Sequence, residues 1–354
     1  MLLGISAVFV NHIHPDSNHV SAVRMKYFAK SLADQGNKIV LISGTPVATD
    51  TAKPVPRVAH ELAAHDWSRP FVLACRPTGS PLLRKAREGR LGFGLRQGVL
   101  AGAYLLRGGV FTDWLEGALP YLPLLAKTFR PEIVWGTFGN TDAWNIARRL
   151  ADVSDCPWVA DMKDNWSAFM PTGLARLIAK RYPDAAHMTV FSEGHRDEAD
   201  RWFGQDKTVI YSGFGEATAP PPRTEPGSFP ILLTGSIYND ACLARFIGGL
   251  RDWLKAFSAT RPANNVIFRY AGNDGKQVAR QADILQGLCK VVIHGFLPYG
   301  ELLALQKISS LNVYIRNPRN IFQHKILELL AAGPPVVSFP GESDEARRIA
   351  ERAG

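Results

Sequence analysis

The feature that most constrains this chain is an alternation of short apolar runs with helical stretches. It runs through once, is interrupted by prolines, and then starts again. After the interruption, apolar runs at 230–235, 265–271, 290–294, 311–315 and 335–339 read as strands. Segments near 240–258, 275–287, 298–308 and 321–332 read as helices. Before it, residues 2–10 read as a strand, and Val23, Met25, Phe28, Ala29, Leu32 and Ala33 fall at helical spacing. Gly36 closes that helix, and Lys38–Ser43 reads as a second strand, so the chain opens β-α-β. A strand at Phe129–Gly136, a helix from about Thr141 to Ala151 and a strand from Trp158 continue the pattern. Two further short runs, His187–Glu193 and Thr208–Phe214, precede the interruption. The interruption, Gly215 to Phe229, holds Pro220, Pro221, Pro222, Pro226 and Gly227 and reads as a linker. The expected class is therefore α/β, with one doubly wound domain over 1–214, a linker over 215–228 and a second over 229–354.

Two stretches of the first domain break the alternation. Residues 45–75 read as loop. The region from Leu82 to Leu122 interleaves arginine with Tyr104, Phe111, Trp114, Tyr121 and many leucines. The chain's net charge is +9, and the nine basic and three acidic residues between Arg76 and Arg130 hold +6 of it. That pattern suits an interfacial element on an anionic membrane surface, and equally a helical excursion whose apolar face is core.

Near the chain's end, Asn320 to Ala332 reads as a helix of about three turns, with Asn320 as N-cap. Gly333 is expected as a left-handed terminator before Pro334-Pro335. Ile321, Phe322, Ile326, Leu327, Leu329 and Leu330 make it apolar nearly all round, so it should be buried. Gln323, His324, Lys325 and Glu328 are its polar residues, and the last three share one face. A polar strip on a buried helix suggests the lining of a cavity, against the alternative of a surface ion pair.

The run Lys-x-x-Glu-x-x-Ala-x-Gly-x-Pro-Val-Val from Lys325 to Val337 resembles the nucleotide-sugar helix of family-4-type retaining glycosyltransferases with the GT-B fold. The resemblance implies two Rossmann-like domains facing across a cleft, the first binding acceptor and the second donor. It implies that Glu328 takes the donor's ribose hydroxyls and that Lys325, with His324, Arg316 and Arg319, lies by the diphosphate. Asn320, Ile321, Phe322, Gly235 and Ser236 complete the implied donor set. Asn320 stands where the family often carries a second glutamate, and no cation follows Gly235-Ser236 until Arg245. In the first domain, Asp161-Met162-Lys163-Asp164-Asn165-Trp166 resembles the family's Asp-x-x-Asp-x-Trp strand end. Asn18, Arg24, Asp161 and Asp164 are the implied acceptor residues, and Lys325, Arg316 and Asp164 the implied catalytic ones. No metal or cofactor is expected beyond the nucleotide sugar itself. The acceptor is expected to be a glycan or polyprenyl-linked sugar of cell-surface polysaccharide synthesis. The family normally continues past Gly354, so the second domain is expected to be incomplete.

The absence of GxxxxGK[ST], HExxH and GxSxG gives P-loop, zincin and α/β-hydrolase chemistry no support. No nucleic-acid module is visible. Cys75, Cys156, Cys242 and Cys289 are scattered, which suits a reducing cytoplasm better than disulfides or zinc. The apolar start, Met1 to Val10, has no basic n-region and reads as a strand, and no run approaches a membrane span. A cytoplasmic protein, peripheral on the inner membrane face if bound there, is the expectation. A sugar-nucleotide epimerase on the same fold, or a non-catalytic partner retaining it, remains an alternative.

Overall fold

The computed structural model describes residues 4–17, 19–46, 52–79, 81–171, 173–213, 226–258, 265–317 and 320–353. The chain divides into two units, Met1–Gly213 and Phe214–Gly354. Most of the proline-rich linker, with Pro220 to Pro222, lies outside the described residues.

The first unit is a parallel sheet of β1 (Ser6–Val10), β2 (Lys38–Gly44), β3 (Phe71–Cys75), β4 (Ile133–Phe138), β5 (Trp158–Met162), β6 (His187–Val190) and β7 (Lys207–Val209). Their order is β3-β2-β1-β4-β5-β6-β7. Period-two side-chain alternation divides the core in two. Val8, Val10, Val40 and Ile42 face one cluster, while Ala7, Phe9, Ile39 and Leu41 face another with Met25, Ala29 and Ala33 of the helix Val20–Asp34. Burial on both faces explains why these strands read as continuous apolar runs. On the larger side, the helix Thr141–Ser154 brings Trp144 against Trp166, stacked at 5.6 Å. Gly136 makes that approach possible: a Cβ there would lie 2.9 Å from the Ala147 Cβ, and its carbonyl accepts from Trp144 Nε1 at 2.9 Å.

Residues 45–75, expected to be loop, contain the helix Val55–Ala63 and the strand β3. Pro54 stands at the N-cap of the helix and Pro56 in its first turn, where a missing N–H is harmless. β3 is an apolar run, Phe71 to Cys75, and as the edge strand it is buried only at Phe71, Leu73 and Cys75.

The region 82–122 folds as the helices Pro81–Arg87, Phe93–Arg107 and Thr112–Ala118. Tyr104, Trp114 and Tyr121, expected at headgroup level on the membrane reading, are buried in the core, and Phe111 packs against it. Arg87 is also turned inward, with both terminal nitrogens on Asp113 at 2.8 and 2.6 Å and its guanidinium over the Phe111 ring. The aromatic residues belong to the core reading. The outward surface is carried by Leu82, Phe93, Leu95, Leu105 and Leu106, with Arg84 and Lys85 exposed nearby. Among the described residues no helix is long and apolar enough to cross a membrane.

The second unit is a parallel sheet of β8 (Phe229–Thr234), β9 (Val266–Ala271), β10 (Lys290–Gly295), β11 (Leu311–Ile315) and β12 (Val336–Phe339). The order is β10-β9-β8-β11-β12. Ile231 and Leu233 pack on one face and Leu232 on the other. In each sheet the order reverses beside the first strand of the unit, between β1 and β4 and between β8 and β11. Loops at the carboxyl ends of such strands form the crevice where open α/β sheets take ligands.

Candidate functional site

In the second unit, three elements meet at the β8/β11 reversal: the turn after β8, the segment after β11 and the helix His324–Ala332. That helix starts later than its sequence suggests, with Gln323 rather than Asn320 at the N-cap. The Asn320 side-chain oxygen accepts from Asn317 Nδ2 at 3.2 Å, and its backbone N–H donates to the Asn317 carbonyl at 3.1 Å. Gln323 Oε1 in turn accepts from the Asn317 N–H. Asn320 therefore closes a turn after β11, and Ile321 and the buried Phe322 precede the helix. At the far end Gly333 ends the helix with a positive φ of 101°, but its ψ of −44° lies outside the left-handed helical region expected there.

The helix aims Lys325 at the turn after β8. Its Nζ donates to the carbonyl of Thr234, the last residue of β8, at 2.9 Å. Gly235 follows with φ 88°, and a Cβ there would collide with Nζ at 1.6 Å, so only glycine admits the ammonium. Tyr270 Oη donates to the Gly235 carbonyl at 2.8 Å and fixes the turn. Asp274 accepts from the Ile237 N–H, and Ser236 is half-buried between these two anchors. Burial pulls the Lys325 pKa down to about 8, against an opposing pull upward from Glu328. An ammonium has three donors, and among the described residues the Thr234 carbonyl takes one.

Glu328 lies one turn along, 6 % exposed. Burial pushes its carboxyl up, while hydrogen bonds from Gln306 and Tyr299 and the Lys325 charge hold it down. Gln306 Nε2 donates to Oε1 at 3.0 Å, and His324 Nε2 lies 3.9 Å from Oε2. His324, Lys325 and Glu328 thus gather as their spacing implied. Arg316 follows β11, its Nε 3.7 Å from Glu342, whose carboxylate also accepts from Tyr314. Asn18 and Arg319 lie outside the described residues.

The first-unit residues divide differently. Arg24 and Asp161 are 2 % and 0 % exposed, joined by two hydrogen bonds of 3.2 and 2.8 Å. Arg24 also donates to the Ile210 carbonyl and Ser212 Oγ, and Asp161 accepts from Thr189. Asp161 sits within β5 rather than beyond its end. The two therefore spend their charges on each other, pinning the helix Val20–Asp34 to β5, and both are shut off from solvent. Asp164 is beyond the strand and partly open, and Lys163 Nζ bridges it at 2.6 Å to Ser21 Oγ at 2.7 Å. His19 caps the same helix by accepting from the Ser21 N–H, and burial and Lys163 lower its pKa. Gly139, after β4, lies against Lys163 and Asp164, so this cluster borders the β1/β4 reversal.

The sequence did not reveal Gln306 and Tyr299 beside Glu328, Glu342 beside Arg316, or Lys163 and Ser21 beside Asp164. Gln306 carried a signal, as the polar residue that ends the apolar run Leu302 to Leu305. Among the described residues no group of three or more His, Cys, Asp or Glu is gathered to hold a metal ion.

No family model and no curated protein matches the sequence. Solved structures do match across nearly its whole length. Anabaena Alr3699/HepE, in complex with UDP and glucose, aligns with 99 % of this chain and 89 % of its own, at 15 % identity and a TM-score of 0.51. A UDP-N-acetylglucosamine 2-epimerase from Listeria monocytogenes aligns over 99 % and 82 %, at 12 % identity and 0.55. Trehalose-6-phosphate synthase OtsA aligns over 94 % and 84 %, at 11 % identity and 0.56. The fold is GT-B. At these identities the likeness shows the GT-B fold alone.

Proposed function

We propose that this chain is a retaining glycosyltransferase of the family-4 type that moves a sugar from a nucleotide sugar to a glycan or lipid-linked acceptor in cell-surface polysaccharide synthesis. The observation that carries the reading is the convergence of Lys325, Gly235 and Glu328 at the β8/β11 reversal. The two charged groups on one buried helix, an ammonium over a glycine turn and a carboxylate further in, suit a diphosphate and a vicinal diol respectively. HepE is bound to UDP-glucose in one structure, which makes uridine diphosphate the first nucleotide to test.

In this reading Glu328 accepts from the two ribose hydroxyls. Lys325, helped by Arg316 and His324, stabilises the charge that builds on the departing diphosphate, where a fixed cation in a dry site is worth several kcal/mol. Cationic side chains do this without a metal, so activity should survive chelation. Asp164, held by Lys163, binds the hydroxyl of the acceptor. The exposed Leu82, Phe93, Leu95, Leu105 and Leu106, with Arg84 and Lys85, suit contact with an anionic bilayer that delivers a lipid-linked acceptor.

Glu328→Gln tests the donor assignment. It keeps the shape and one acceptor oxygen but loses the charge, and should weaken UDP binding by about 1.5–3 kcal/mol. Calorimetry showing unchanged affinity would remove Glu328 from the site.

A further inference from the structure

Gln306 is wholly buried, on the helix Tyr299–Lys307 rather than the helix that carries the charged pair. Burying an amide costs free energy that its hydrogen bonds must offset. Among the described residues, its side chain makes one hydrogen bond, from Nε2 to Glu328 Oε1 at 3.0 Å, while its Oε1 has no partner. The bond fixes the amide's orientation, since the reverse would set two oxygens against each other. Tyr299, seven residues earlier and so two turns back on the same helix face, also reaches Glu328. The helix Tyr299–Lys307 thus holds the carboxylate from one side. Asn312 of β11 holds that helix's end, its Nδ2 donating to the Gln306 carbonyl at 3.1 Å.

We propose that Gln306 is the positioning residue for Glu328: its amide immobilises one carboxylate oxygen so that the carboxylate meets a ribose diol in a fixed plane. A carboxylate on a side chain with three free torsions would have to be ordered at each binding event, and here that ordering is done in the unliganded fold. Gln306 itself touches no ligand. The inference rests on the reading of Glu328 as the ribose acceptor, and the experiment separates the two.

The full chain is titrated calorimetrically with UDP and with 2′,3′-dideoxy-UDP, which lacks both ribose hydroxyls. The proteins are wild type, Gln306→Leu, Gln306→Met and Glu328→Gln. Met keeps the unbranched stem and nearly the volume of Gln, so it serves if the leucine variant does not fold. Wild type should prefer UDP by at least about tenfold. Both Gln306 variants should shrink that preference to about threefold or less while leaving dideoxy-UDP affinity unchanged. Adding Glu328→Gln to either should cost little more, because both changes act on one contact. If Gln306→Met keeps the wild-type preference, or weakens both nucleotides equally, Gln306 is a packing residue and the proposal falls. If Glu328→Gln itself keeps the preference, the ribose assignment falls first.

Discussion

Lys325 yields the sharpest expectation because its charge state and its proposed ligand are coupled. In the free protein its pKa is drawn from the ordinary 10.5 to about 8 by burial. The interval corresponds to about 3–4 kcal/mol at most, less whatever solvent reaches the half-buried side chain. The folded value lies below the unfolded one. Between about 8 and 10.5 the unfolded chain therefore holds a proton the native state has lost, and this group makes stability rise with pH across that window. Ligand binding runs the other way, because a diphosphate favours the ammonium and returns its proton. UDP affinity should be level between pH 7 and 8 and then fall, by up to about tenfold per pH unit, as the free amine takes over. Lys325→Ala should lose about 1.5–3 kcal/mol of affinity at pH 7, the range for a hydrogen bond to a charged group. It should also lose that alkaline limb. Calorimetry of both proteins from pH 7 to 9.5 supplies the test, and the variant's curve reports any titration of UDP itself. Parallel curves, or a wild-type affinity level through pH 9.5, would refute the reasoning.

Further outcomes follow from the same geometry. Gly235→Ala places a Cβ on the Lys325 ammonium at φ 88°, and should cost about 1–2 kcal/mol in stability from backbone strain while weakening UDP binding like Lys325→Ala. Thermal melts with and without UDP read both effects. Asp161→Asn leaves Arg24 buried and unbalanced, and should destabilise the first unit by about 3–5 kcal/mol, read by denaturant titration, with UDP affinity in the folded protein unchanged. In liposome sedimentation, binding should need anionic lipid, fall with salt, and weaken on changing Leu106 and Phe93 to serine or Arg84 and Lys85 to glutamine. Arg87 is unsuitable for that series because it holds Asp113 inside the core.

The legible parts of this molecule were those written locally. The second unit's inner strands β8, β9 and β11 lie close to where their apolar runs put them, because parallel strands buried on both faces leave no alternation to confuse. The grouping of His324, Lys325 and Glu328 needed only helical spacing. Contacts between distant residues were not legible. Arg24 and Asp161 are 137 positions apart, and each alone looks like an exposed charge awaiting a ligand. Arg87 likewise looked like a member of a basic surface, although with Asp113 it closes a partly buried bridge between helices. The start of the helix His324–Ala332 was misjudged because Asn320 is a good capping residue whose side chain is engaged by Asn317 instead. Gln306 is joined to Glu328 only by tertiary packing of one helix on another.

The central claim is transfer of a sugar from a nucleotide donor through the Lys325 and Glu328 site. Its most direct test is incubation of the full chain with UDP-sugars labelled in the sugar, with and without a membrane extract, beside Lys325→Ala as control. The account predicts that label moves from UDP into extractable glycan or glycolipid only when the extract is present, with the anomeric configuration kept, in the presence of chelator, and much more slowly in the variant. Conversion of the UDP-sugar to its epimer without any acceptor, or transfer that Lys325→Ala leaves at the wild-type rate, would contradict it.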